Sequence, residues 1–266
     1  MTAHVAVVVF PGTNSEEETQ RALAAAGLRA EIVHWSRGSA ALRAFDAFVL
    51  PGGFAYEDRV RAGAVAAHDE VMDAVIEGAQ AGKFVIGICN GAQILLEAGL
   101  VPGTGPLRRP TAAFAPNASG RFLCVHVHVR LAVPPARVPV LGGIAPDAIV
   151  PAWAAHGEGR LAAAEDELDR LERDGHAAFV YCDARGERIP APNGSARGVA
   201  GLTNREGNVL AIMPHPERDA WTFMHRDGNP DKTAARGNAQ AMLAPSGGIV
   251  FFQAFAAGLA KAAVAR

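Results

Sequence analysis

Five consecutive apolar residues, Phe84-Val85-Ile86-Gly87-Ile88, run directly into Cys89-Asn90-Gly91, and this junction constrains the fold more than any other feature of the chain. A run without polar alternation has to be covered on both faces, the condition of a central strand in a parallel sheet with crossover helices. Its surroundings agree. Residues 5–10, 30–35 and 47–50 read as further strands, and residues 62–80 as a helix. Between the first two strands Asn14 and Ser15 supply caps, Glu16, Glu17 and Glu18 fill a first helical turn where the dipole favours negative charge, and Gly27 stops the helix. The alternation predicts an α/β fold, doubly wound, with a mostly parallel central sheet and flanking helices.

Past Gly103 the pattern changes to alternating strands, clearest over residues 122–131, joined by Pro- and Gly-rich connections, which predicts an antiparallel extension of the sheet. Residues 165–173 form a charged helical stretch, residues 198–203 and 209–213 flank a Glu206-Gly207-Asn208 turn, and residues 249–265 close the chain as an amphipathic helix. Residues 219–248, rich in Asn, Gly, Asp, Arg and Pro, read as a long loop. With no linker between the halves, residues 1–266 are expected to form one domain carrying that insertion.

Half of the residues are hydrophobic and a fifth are charged, with a formal net charge of -2, a balance that argues against disorder and against a nucleic-acid partner. No apolar run reaches the roughly 18 residues of a bilayer span, and the start has no basic region ahead of a cleavage site, so a cytoplasmic protein without a membrane partner is expected. Cys89, Cys124 and Cys182 are too few and too scattered for a disulfide framework.

Of the three thiols, Cys89 alone has a chemical context. Gly87 and Gly91 stand two residues to either side, the spacing of a nucleophile elbow, and a helix N-terminus after it favours the thiolate. Pro51-Gly52-Gly53 ends another apolar strand at the same expected sheet edge, where adjacent glycines let backbone N–H groups approach a ligand. The N–H groups of Gly53 and Asn90 are the candidate oxyanion donors. Met213-Pro214-His215-Pro216-Glu217-Arg218 follows a third apolar strand: His215 is the candidate general base, and Glu217, on the same side of an extended segment, its orienting partner. Together these groups suit attack of a thiolate on an amide.

The Pro-Gly-Gly loop, the Gly-Ile-Cys-Asn-Gly-Ala-Gln elbow and the Pro-His-Pro-Glu segment resemble, in that order, the class I or triad glutamine amidotransferases, whose fold is flavodoxin-like. Phe10-Pro11-Gly12-Thr13-Asn14, Gly52-Gly53-Phe54-Ala55-Tyr56-Glu57-Asp58, Ala155-His156-Gly157-Glu158-Gly159 and Thr203-Asn204-Arg205-Glu206-Gly207-Asn208-Val209-Leu210 extend the likeness to the glutaminase subunits of phosphoribosylformylglycinamidine synthase. The resemblance implies that Cys89 forms a γ-glutamyl thioester with His215 and Glu217 as partners, that Gly52, Gly53 and Asn90 belong to the oxyanion site, and that Gln93 helps to hold glutamine. It implies no cofactor in this chain, with ATP and magnesium on a synthetase large subunit, and in many bacteria a small third subunit. Glu57 stands where the family usually has glycine, Ala92 where it commonly has a bulky aromatic, and residues 219–248 are longer than the usual passage. An amidotransferase of another pathway, another Cys-dependent hydrolase and a non-catalytic regulator remain alternatives.

Three further groups carry weaker signals. Cys124, His126 and His128 share one strand face, a pattern that suits zinc less well than a polar strand surface, so no metal is expected. His156 and Glu158 are placed by resemblance near the pocket or a subunit contact. Arg59 and Arg61 face either a partner or solvent.

Overall fold

The computed structural model describes residues 2–265. In chain order they form β1 (His4–Val9), α1 (Glu16–Ala25), β2 (Arg29–His34), β3 (Ala47–Leu50), α2 (Val71–Gln80), β4 (Phe84–Ile88) and α3 (Asn90–Glu97). There follow β5 (Ala113–Pro116), β6 (Leu123–Leu131), β7 (Ile149–His156), β8 (Glu158–Ala162), α4 (Glu165–Arg173), β9 (Ala177–Cys182), β10 (Val199–Thr203) and β11 (Val209–Ile212). The chain closes through α5 (Pro230–Ala234), α6 (Ala239–Met242) and α7 (Ile249–Val264).

Nine strands make one sheet in the order β2-β1-β3-β4-β11-β10-β9-β6-β7, and β5 pairs with β8 in a separate antiparallel ribbon. From β2 to β11 every neighbour is parallel, while the pairs from β11 to β7 are antiparallel. β4 lies inside the parallel half, and its Phe84, Val85, Ile86 and Ile88 are all buried. Burying each such side chain contributes about 1.5–3 kcal/mol. The parallel strands follow the 2-1-3-4-5 order of flavodoxin-like sheets with β11 as the fifth, an order whose ligand crevice lies beyond the strand C-termini.

Three local expectations are corrected. The helix expected over residues 62–80 begins only at Val71, because Gly63 turns with φ +82° hard against α3: a Cβ there would lie 2.6 Å from Ile94 N. Asp69 then caps the shortened helix, accepting from Val71 N–H at 2.9 Å. Ser15 stands at the start of α1 but makes no side-chain cap; its buried hydroxyl donates to Asn14 Oδ1 at 3.2 Å and accepts from Arg218 Nη2 at 2.8 Å. Residues 219–248 are not all loop, since they contain α5 and α6, each capped by an asparagine side chain, Asn229 and Asn238. Among the described residues no helix is long and apolar enough to cross a membrane.

Candidate active site

Four adjacent parallel strands, β1, β3, β4 and β11, deliver four segments to one edge of the sheet. From β4 the chain turns sharply at Cys89, which adopts φ +53° and ψ -108°, a region L-residues rarely occupy, and enters α3 at once. The flanking glycines make the turn possible by close approach rather than by their own torsions. A Cβ at Gly87 would lie 2.4 Å from Gly91 O, and one at Gly91 would lie 1.9 Å from Leu50 O. Cys89 N–H donates to Ile212 O at 2.8 Å, tying the elbow to β11, which carries His215 three residues later.

His215 is held from both sides. Its backbone exchanges hydrogen bonds with Trp153 of β7, at 2.8 Å from its N–H and 3.2 Å to its carbonyl, and its Nδ1 lies 2.5 Å from Glu217 Oε1. Glu217 reaches the ring from a short 3-10 turn, Pro216–Asp219, and not from the extended segment expected. Both side chains are fully buried, and among the described residues His215 Nε2 has no hydrogen-bond partner. Burial on its own depresses the His215 pKa, but the Glu217 carboxylate and the neighbouring Cys89 reverse that and lift it to about 9. An imidazolium there favours negative charge on the adjacent sulfur.

Gly52 and Gly53 are both required by contact. A Cβ on Gly52 would sit 2.5 Å from His215 Cε1, and one on Gly53 would sit 2.6 Å from Thr13 Cα. The bonds joining these two loops run from Phe54 N–H to Gly12 O and from Asn14 and Ser15 N–H to Gly52 O, so they do not use the Gly53 N–H. The Asn90 N–H, in the first turn of α3, has no intrahelical acceptor. The Asn90 side chain is structural: Oδ1 accepts from Ala55 N–H at 2.9 Å, and Nδ2 donates to Gln93 Oε1 at 2.9 Å and Asp58 Oδ1 at 3.2 Å. Gln93 also donates to Glu158 O at 2.6 Å, so its amide is already committed within the wall.

A cavity of about 290 Å³ opens at Cys89, lined also by Asn14, Gly53, Asp58, Gln93, His156, Glu158 and Arg218. Ala155 O, 3.8 Å from Cys89 Sγ, completes the wall beside the sulfur. Asp58 closes a run of left-handed residues, Tyr56, Glu57 and Asp58, with φ between 52° and 59°. Burial and the charge of Glu158 push the Asp58 carboxyl up to about 6, against the downward pull of the Asn90 hydrogen bond. The arginines that follow are committed elsewhere, Arg59 to Glu57 at 2.8 Å and Arg61 to Glu97 at 2.5 Å. Asp58, Arg218 and Asn14 sit inside segments the sequence singled out, yet only the fold shows that they share one cavity with Cys89. His156 and Glu158, placed near the pocket by resemblance, line it.

The other marked residues lie apart. His126 turns from its strand to Asp219 Oδ2 at 2.6 Å, and Asp219 Oδ1 is held by His225, while Cys124 is exposed. Cys182 is buried, and burial raises its thiol to about 11.

Comparison with known proteins agrees with this geometry. Residues 2–245 match the CobB/CobQ-like glutamine amidotransferase domain family. The chain is 44% identical over 217 residues to phosphoribosylformylglycinamidine synthase subunit PurQ of Thermus thermophilus, covering 80% of this chain and 88% of that protein. It is 41% identical over 221 residues to the PurQ subunit of Rhodopseudomonas palustris, covering 82% and 90%. Among solved structures, PurLQS from Thermotoga maritima superposes with a TM-score of 0.71 at 28% identity, over 96% of this chain and 98% of that one. The mostly parallel sheet, the elbow at Cys89 and these likenesses lead to one conclusion: the chain belongs to the phosphoribosylformylglycinamidine synthase subunit PurQ family of glutamine amidotransferases.

Proposed function

We propose that this chain hydrolyses the side-chain amide of glutamine and passes the ammonia to an ATP-using synthetase subunit that converts formylglycinamide ribonucleotide to its amidine. The observation that carries the chemistry is the placement of Cys89, on a left-handed elbow at a helix start, where it lines the cavity and neighbours the buried His215–Glu217 pair behind it.

Cys89 Sγ attacks the amide carbon, and the N–H groups of Gly53 and Asn90 take the oxyanion, two donors worth about 3 kcal/mol each. His215 delivers its proton to the amide nitrogen, the C–N bond breaks, and ammonia leaves a γ-glutamyl thioester. Water then attacks the thioester, its proton returns to His215, and glutamate is released. Glu217 keeps the Nδ1 proton in place throughout. Elsewhere in the cavity lining Asp58 and Glu158, two carboxylates in a partly buried wall, suit the α-ammonium of the substrate, and Arg218 with Asn14 suits its α-carboxylate. Gln93, with its amide engaged, shapes the wall rather than gripping the substrate.

Likeness to PurLQS over nearly the full chain, with the PurQ relatives, supports assembly with a synthetase subunit; to this reading we add a small third subunit and place ATP and magnesium on the synthetase. We place the assembly in the cytoplasm. Glutamate release by the chain with and without its synthetase, followed by an ATP- and glutamine-dependent assay on formylglycinamide ribonucleotide, tests the reading. A chain that releases glutamate yet yields no amidine with its cognate synthetase refutes the acceptor; a Cys89→Ala variant with unchanged glutamate release refutes the nucleophile.

A further inference from the structure

One buried side chain of the cavity has bonding capacity that the proposed mechanism does not use. His156, the last residue of β7, is 3% exposed and lines the same cavity as Cys89. Its Nδ1 lies 3.1 Å from Asn117 Oδ1. The orientation of that amide is fixed at its other end, where Asn117 Nδ2 donates to the carbonyls of Arg121 at 2.9 Å and His156 at 2.8 Å. Both amide hydrogens are thereby spent, Oδ1 can only accept, and the proton between the two side chains must sit on His156 Nδ1. A neutral imidazole protonated there keeps a bare lone pair on Nε2.

Among the described residues that lone pair has no donor, although the atom is buried. The ring has little room to turn away, since it lies flat against the backbone of Gly159, where a Cβ would come within 2.3 Å of both Cε1 and Nδ1. Burial and the nearby charge of His215 push its pKa down to about 4, so the ring stays neutral while His215 carries a proton. An unpaired acceptor on a residue that lines the reaction cavity suits a donor that arrives with the ligand.

We propose that His156 Nε2 receives an N–H of the substrate's side-chain amide, and afterwards of the ammonia that the amide becomes. This rests on the glutaminase reading of the cavity. The amide nitrogen brings two hydrogens, whereas the carboxylate of the glutamate product brings none and meets the lone pair of Nε2 with its own. One contact therefore favours the substrate and disfavours the product. A neutral acceptor also holds ammonia without protonating it, which leaves the nitrogen lone pair available to the acceptor reaction. No covalent bond changes at His156, and the proton for the leaving nitrogen comes from His215.

The test compares hydrolysis of glutamine with that of γ-glutamyl methyl ester, whose leaving oxygen bears no hydrogen, using the full chain together with its synthetase. His156→Asn keeps a polar group near the place of Nδ1 but offers nothing at Nε2, while His156→Gln carries an amide oxygen to the place of Nε2. The Asn variant is expected to lose about tenfold in kcat/KM on glutamine, the effect of one hydrogen bond, with ester hydrolysis changed by less than about threefold. The Gln variant should recover most of the loss, and glutamate should inhibit the Asn variant more strongly than the native chain. Equal losses on both substrates, or a His156→Asn variant with native glutamine turnover, overturn the proposal. Native protein that hydrolyses neither substrate refutes the glutaminase reading instead, and ester hydrolysis retained in the variants shows that the site is still assembled.

Discussion

The two halves of the sheet place their functional groups by different means. Along the edge where β1, β3, β4 and β11 end, position is set by backbone: Cys89 by a left-handed turn between two glycines, the Pro-Gly-Gly loop by bonds to Gly12, Asn14 and Ser15, and His215 by bonds to Trp153. On the antiparallel flank, position is set by buried side chains that satisfy one another. Asn117 fixes His156, and Asp219 binds His126 of β6 and His225 of the insertion at once. Backbone placement leaves a local trace of glycine, proline and spacing. A side-chain network joins residues 39 or 93 positions apart and leaves none.

If the backbone edge carries the chemistry, Cys89→Ala should lower glutamine hydrolysis by about 10⁴-fold or more in a glutamate-release assay. Replacing the same residue by glycine, Cys89→Gly, should be equally inactive yet raise thermal stability by about 1 kcal/mol, because the positive φ is relieved. A Cys89→Gly protein less stable than native would show that the elbow is unstrained.

Gly52→Ala would drive a methyl group into the His215 ring, so kcat should drop about 10²-fold while partner binding, measured by calorimetry, holds. Glu217→Gln tests the same histidine by charge. Since the His215 pKa is raised above its unfolded value near 6.5, the stabilisation it gives is complete below that value and is lost as pH rises through about 9. Without the Glu217 charge that window should narrow, seen as a flatter unfolding free energy between pH 6.5 and about 9.

The network side predicts a different signature. Asp219→Ala should destabilise the chain by about 3 kcal/mol, as one partner is lost from a buried charged cluster, with a much smaller change in glutamine turnover per folded molecule. Turnover falling as far as in Gly52→Ala would erase the distinction between the halves, because Asp219 ends the turn that carries Glu217. Glutamine KM should rise severalfold as pH falls through about 6, where Asp58 takes up a proton and loses its attraction for an ammonium; in Asp58→Asn that dependence should vanish. The smallest effect is expected at Glu57, whose φ of +59° favours glycine: Glu57→Gly should stabilise by about 1 kcal/mol in chemical denaturation.

Glu57 also illustrates how far the sequence could be read. Its departure from the glycine usual at that position is visible in the chain, but the left-handed run that explains the glycine is a property of the folded loop. Likewise residues 62–80 read as one helix, and only the contact of Gly63 with α3 shows why α2 begins eight residues after that glycine. The turn of residues 216–219 brings Glu217 within 2.5 Å of His215 by a path that a period of two along an extended segment does not produce.

By itself the sequence determined the strands at residues 47–50 and 84–88, the helix at 165–173, the elbow around Cys89 and the pairing of His215 with Glu217. Those features depend on apolar runs, helix starts and glycine spacing, all of which act over a few residues. Tertiary structure alone decided that β11 lies beside β4, that Asp58 and Arg218 share one cavity with Cys89, and that among the described residues His156 Nε2 has no partner. The physical reason is range. Torsional preference and hydrophobic period are written in neighbouring residues, whereas burial, charge proximity and hydrogen-bond satisfaction exist only once distant segments are packed together.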